Sequence, residues 1–197
     1  MTQSVNAPGE ARVEEWLPNS SSADDSRSTA VDAEIDMLAD ILHAVVHAGA
    51  GVSFFTPFSI EEARAFWVDK ALPQVTAGRR RVLVARDDER IIGTVQLELD
   101  MPPNQQHRAA VAKLLVHPAV RRRGVARALM IALEEIARSG GRSLLTLDTV
   151  SGSNAELLYR SLGYITVGVI PRFARGALIP ELEGTTIMYK ELMPAEG

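Results

Sequence analysis

The sequence predicts an α+β domain with a mixed central sheet flanked by helices. Three observations carry this. Helix-period apolar spacing comes first, at Ile35, Leu38, Ala39, Leu42, Val45 and Val46. Strand-period runs follow, with Thr94, Gln96, Glu98 and Asp100 alternating with Val95, Leu97 and Leu99. The chain then alternates strand, helix, strand, helix, strand, and that order gives a sheet with both parallel and antiparallel neighbours.

Residues 1–30 are rich in Ser, Asp, Asn, Pro and Gly, so they read as a mostly disordered tail before one domain over 31–193. Within them, Val13, Trp16 and Leu17 are the material for one short strand or docking segment. Asp32 is the expected N-cap of the first helix, which Gly49 and Gly51 stop. Ser59 and Glu62 have capping-box spacing and open a second helix that runs towards Pro73. Strands are expected over 81–86, 91–100 and 109–116, the last ended by Pro118. A helix spans about 125–138 and Gly140-Gly141 end it. After a β-rich run at 143–149, Ser153 or Asn154 opens a short helix with Gly163 at its C′ position. Strands over 164–170 and 185–191 close the pattern.

The 197 residues are 46% hydrophobic, which supplies a core, and the net charge of −4 argues against nucleic acid as a partner. There is no cysteine, which excludes disulfides, a thiolate nucleophile and thiolate metal ligands. His43 and His47 are spaced i, i+4, yet no third ligand is near in sequence, so no metal is expected. No apolar run reaches the roughly 18 residues of a membrane helix, and the N-terminus has neither the basic start nor the apolar core of a signal peptide. The expectation is a cytoplasmic protein with no membrane partner.

The chemistry-bearing segment is Val116 to Ala126: strand, Pro-containing turn, basic glycine loop, helix. A helix N-terminus offers unpaired N–H groups and partial positive charge, which attract phosphate. Gly124 lets the backbone approach such a group closely. Arg121, Arg122 and Arg123 add charge.

With these residues the sequence resembles the GNAT acetyltransferase superfamily. Arg121, Gly124 and Ala126 match that family's pyrophosphate loop, and the segment from Asn154 through Tyr159 to Gly163-Tyr164 matches its second motif. A closer resemblance, to tabtoxin-resistance-like acetyltransferases, is carried by residues 111–118 and 145–149, by Gly152-Ser153 and by the segment from Gly49 to Ala63. The resemblance implies the GNAT-type acyl-CoA N-acyltransferase fold and acetyl-CoA as cosubstrate. The implied cofactor contacts are Leu115, Val116, Arg121, Arg122, Arg123, Gly124, Val125, Ala126, Arg127, Asn154 and Tyr159. A homodimer is compatible with it.

Acyl transfer from a thioester to an amine needs a neutral amine, a stabilised oxyanion and a protonated leaving thiolate. With no cysteine and no evident Ser-His-Asp set, direct attack by the amine is the simplest route. The resemblance implies a backbone N–H near Leu115 or Val116 for the oxyanion and Tyr159 as proton donor to the thiolate. Asp148 is the first candidate base, because it follows an apolar run and is expected at the end of a strand, away from open surface. Glu98 and Asp100 are the other candidates, with Gln96 on the strand face of Glu98. Lys113, a charge inside an apolar strand, is expected to pair with Glu98 or with a substrate carboxylate. The acceptor is expected to be a small amino-acid-like molecule, a toxin or an antibiotic. A protein or peptide amine, and a non-catalytic acyl-CoA-binding sensor, stay open as alternatives. Loops at 49–55, 101–108 and 172–178 are the expected pocket walls.

Overall fold

The structure, a computed structural model, describes residues 11–18 and 25–192. Seven strands form one sheet in the order β1-β2-β3-β4-β5-β7-β6. The strands are β1 (Arg12–Glu15), β2 (Arg80–Asp87), β3 (Arg90–Glu98), β4 (Arg108–Val116), β5 (Leu144–Val150), β6 (Ile165–Arg175) and β7 (Leu182–Glu191). Only β4 and β5 run parallel; every other neighbouring pair is antiparallel. Helices α1 (Asp25–His47) and α2 (Ile60–Ala65) cover one face. There Leu38 and Leu42 of α1, with Trp67 just beyond α2, are buried against Val82, Val84 and Leu115. Helices α4 (Val125–Ser139) and α5 (Asn154–Ser161) cover the other face, burying Leu129, Leu133 and Tyr159 against Leu83, Val95 and Leu145.

The short strand expected around Val13 is present: residues 12–15 pair with β2, so the domain begins before residue 31 and that boundary needs correction. Trp16 is 2% exposed and its indole N–H donates to Glu34 at 2.8 Å. The strand is charged, Arg-Val-Glu-Glu, and it holds because Arg86 reaches Glu14 at 2.6 Å and also bonds Glu34 of α1. Helix α1 starts at Asp25, so Asp32 lies inside it rather than capping it, and its carboxylate takes Arg64 at 2.6 Å. Residues 1–10 and 19–24 of the expected tail lie outside the described residues.

The Ser59–Glu62 capping box is present in both directions. The helix it opens does not stop at Pro73. It widens into a π-helical turn (Phe66–Ala71) and continues as α3 (Leu72–Thr76), with Pro73 directly after that wider turn. On β3 the predicted alternation is present, but Thr94 and Gln96 are fully buried. The strand is central, and helices cover the face that alternation alone would give to solvent.

Two departures from regularity shape the site. Gln96 pairs with Ala112 and Thr94 with Leu115, so Val95 stands opposite both Lys113 and Leu114. This is a β-bulge, with Lys113 at φ 50. And β4 pairs with β5 only from Arg108 to Ala110, opposite Leu144 to Thr146. Beyond that point the two strands part.

Candidate functional site

The parting of β4 and β5 leaves a cleft between residues 111–116 and 147–150. Its β4 wall can be read for backbone donors. His117 N–H donates across the ladder to Ile92 at 3.0 Å. Alternate N–H groups of a strand point to opposite sides, so Leu115 N–H turns towards β3 and Val116 N–H turns away from it, into the cleft. Of the two candidate oxyanion donors, Val116 has the required direction and Leu115 has not.

At the mouth, residues 121–124 lead into α4. Gly124 is its N-cap in the left-handed region, φ 80, and no side chain caps the helix. The first-turn N–H groups therefore have no side-chain acceptor. A Cβ on Gly124 would meet no protein atom within 4 Å. Arg121, Arg122 and Arg123 are exposed. Arg123 leans towards Asp87 at 3.3 Å, and Arg127 donates to Ser161 of α5 at 2.7 Å. Val125 is buried in the core and anchors the first turn, beside the half-buried Ala126. The position of this N-terminus depends on Gly93 of β3, where a Cβ would stand 3.1 Å from both the Leu115 carbonyl oxygen and Val125. An uncapped, unobstructed helix N-terminus beside exposed arginines, at the mouth of a cleft, fits a pyrophosphate-bearing group whose arm enters between the strands.

Helix α5 brings up the second set. Ser153 caps it through Glu156 N–H at 3.3 Å, and Asn154, its first residue, is exposed. Tyr159 is 6% exposed and lies 5.6 Å from Tyr164, centroid to centroid. Burial first, then the charge of Asp148, hold its phenol proton well above the ordinary range. The same relation puts Asp148 within electrostatic reach of Tyr159.

Asp148 departs from expectation in two ways. It lies within β5 rather than at its end, and its side chain is exposed rather than buried. Thr185 of β7 donates to it at 3.1 Å. It points to the α1/α2 side of the sheet, since Leu145 and Leu147, of opposite parity, lie in the α4/α5 core.

On that same side the bulge re-aims Lys113. Without the extra residue its side chain would face α4. Instead Nζ donates to Ser53 at 3.1 Å and lies 5.6 Å and 5.8 Å from the Phe54 and Phe66 ring centroids. The expected Lys113–Glu98 pair does not form, because Arg80 holds Glu98 at 2.7 Å and Gln96 at 2.8 Å. Burial lowers the Lys113 pKa, and Glu98 and Asp148 oppose that while Arg80 adds to it. Lys113, Glu98, Arg80 and Asp148 thus form one electrostatic group at the cleft.

Of the three expected walls, two meet. Thr56 N–H donates to Ala177 at 2.9 Å and Arg175 lies 4.4 Å from the Phe55 ring. Residues 101–108 sit elsewhere, at the closed end where β4 and β5 are still paired, with Ser143 N–H donating to His107 at 2.8 Å. Sequence reasoning missed Ser53, Arg80 and Thr185. Only Arg80 left a signal, an arginine opening an apolar strand opposite Glu98. No group of three or more potential metal ligands occurs among the described residues, and none of their helices is long and apolar enough to cross a membrane.

Comparison with known proteins agrees with this geometry. An uncharacterized N-acetyltransferase of Azospirillum brasilense, from the hisH-hisA intergenic region, is 34% identical over 113 residues. That match covers 56% of this chain and 65% of the relative, so the chain spans just under two thirds of the relative's length. The structure of an N-acetyltransferase from Staphylococcus aureus Mu50 superposes with a TM-score of 0.72 at 14% identity, covering 93% of this chain and 99% of that one. The Salmonella typhimurium protein yncA, solved with its cofactor acetyl-CoA, gives 0.70 at 18% identity, covering 95% and 97%. These likenesses show the fold. The sequence model of the acetyltransferase (GNAT) family matches residues 50–164, more than half of the chain and inclusive of the loop, the bulge, Asp148 and Tyr159, and the chain belongs to that family.

Proposed function

We propose that this protein is an acetyl-CoA-dependent N-acetyltransferase that acetylates a primary amine by direct attack. The observation that carries the reading is the cleft where β4 leaves β5, with Val116 N–H turned into it and the uncapped N-terminus of α4 at its mouth.

Acetyl-CoA supplies the activated carbonyl. The chain supplies the rest. The α4 N-terminus, with Arg121, Arg122 and Arg123 around it, holds the pyrophosphate. Val116 N–H is fixed in direction by the ladder and stabilises negative charge on the carbonyl oxygen without reorganising. An alkyl amine with pKa near 10.4 is neutral at pH 7 in only about one molecule in a few thousand. Asp148 takes the proton of the acceptor's ammonium, and Thr185 orients it. Such a base contributes ~10²–10⁴ in rate. Glu98 is less suited to that task, because Arg80 already occupies it. Burial holds the Tyr159 phenol protonated; it gives that proton to the sulfur as the C–S bond breaks, and the second proton shed by the acetylated nitrogen restores it.

The acceptor in this reading is a small amino-acid-like molecule, of the kind that toxins and antibiotics also present, in keeping with a tabtoxin-resistance-like kinship. The aromatic loop and the mixed charges at the cleft support it. The test is release of free thiol from acetyl-CoA across a panel of small amines and peptides. Turnover confined to peptides would transfer the reading to a protein-amine enzyme. Acetyl-CoA binding with no turnover on any amine would make the chain a sensor.

A further inference from the structure

We propose that Lys113, walled by Phe54 and Phe66 and backed by the buried Gln96 and Arg80, forms a carboxylate subsite, so that the acceptor is a zwitterionic amino acid with its carboxylate on Lys113 and its ammonium towards Asp148. This rests on the acetyltransferase reading above and names its substrate class.

A lysine in the left-handed region inside a strand is uncommon and costs backbone strain. The bulge spends that strain on turning an ammonium into the cleft. There it is half-buried and has Ser53 as a hydrogen-bond partner, leaving donors to spare among its three N–H groups. No carboxylate among the described residues lies within ion-pair distance of it. A desolvated charge of this kind is costly until something neutralises it.

The polar groups behind Lys113 have the same sign. Gln96 is fully buried and its Nε2 has no partner; Arg80 Nε is buried and has none either. The amide orientation is fixed, because Arg80 donates to Gln96 Oε1 at 2.8 Å and leaves the NH₂ end free. These two buried donors do not reach the surface, but their positive ends add to the field around the spare Lys113 N–H groups. The complement of those N–H groups is a group that only accepts, and a carboxylate has two oxygens with about four lone-pair sites.

Arg80 and Glu98 neutralise each other at 2.7 Å, which leaves one positive charge, Lys113, on the β4 side. One negative charge, Asp148, stands on the β5 side. A monoanion joined to an ammonium matches this pair. A dianionic phosphate would leave an excess negative charge, and a plain alkylamine would leave Lys113 uncompensated.

The experiment uses the full chain saturated with CoA. Calorimetric titration with the common L-amino acids and their α-carboxamides should find at least one acid bound about tenfold or more tightly than its amide. In Lys113→Met that advantage should shrink to within about twofold, with the amide's affinity and CoA binding unchanged. If Lys113→Met does not fold, Lys113→Gln carries the same test. The proposal is overturned if no acid outbinds its amide in the parent, or if the preference survives in the variant. Thiol release on the same panel separates the two readings. Preferential binding of acids without thiol release sinks the acetyltransferase and keeps the subsite. Equal turnover of acids and amides keeps the acetyltransferase and sinks the subsite.

Discussion

Thr185 on β7 donates its hydroxyl to the carboxylate of Asp148 on β5 at 3.1 Å, and it also donates to the Thr149 carbonyl at 3.1 Å. The bond fixes one carboxylate oxygen and leaves the other for an incoming ammonium. Asp148→Asn keeps the shape and removes the basicity. Turnover should fall by about 10² or more. Stopped thiol assays measure it. Full activity in the variant would move the base to Glu98.

Tyr159→Phe keeps the buried ring and its contact with Tyr164 while removing the O–H. We expect kcat to drop by about 10²-fold, with CoA affinity within a few-fold of the parent. Because burial holds the phenol proton well above the ordinary range, the parent should show no high-pH loss from Tyr159 in the neutral region. Parental activity in the variant would make Tyr159 a packing residue, with water protonating the thiolate.

Gly124→Val should weaken CoA binding by about tenfold or more in calorimetry. The left-handed backbone costs a branched residue about 1–2 kcal/mol, and the side chain projects where no protein atom stands. Folding should survive for that second reason, and circular dichroism would register it. Unchanged affinity in the folded variant would remove the phosphate role of the loop.

Trp16→Ala should lower stability by about 3–5 kcal/mol, or roughly 10 °C in Tm. The ring is buried, packs edge-on at 6.2 Å to Trp67 and donates to Glu34. Thermal melting of the variant decides it. A melting point unchanged within 2–3 degrees would return residues 12–17 to a dispensable tail.

A homodimer should form along β6. This eleven-residue strand ends the sheet and exposes Ile165, Val167, Val169, Ile170 and Phe173. Monomers rarely leave such an edge uncovered, and a second copy of the strand is a matching occupant present at equal concentration. Light scattering at micromolar protein should give twice the chain mass, and Val167→Lys should halve it. A parent that stays monomeric would refute the dimer.

The sequence by itself determined most of the order of elements, the basic loop and its glycine, the capping box at Ser59 and the α5 segment with Tyr159. Each of these is local: a cap, a turn or a helical period is set by residues within a few positions of one another. The tertiary structure decided the rest. Arg12–Glu15 carries little strand signal beyond Val13, and its charged residues are held in the sheet by Arg86, which arrives from elsewhere in the chain and also bonds Glu34. Gln96 reads as a solvated residue, and it is buried because helices cover the central strand. Lys113 looked destined for Glu98. The contest was settled by Arg80, which faces Glu98 directly across the β2–β3 ladder, and by a bulge that turns Lys113 onto Ser53 and two aromatic rings. Pairing register and competition between distant partners are properties of the assembled sheet, and no window of sequence contains them.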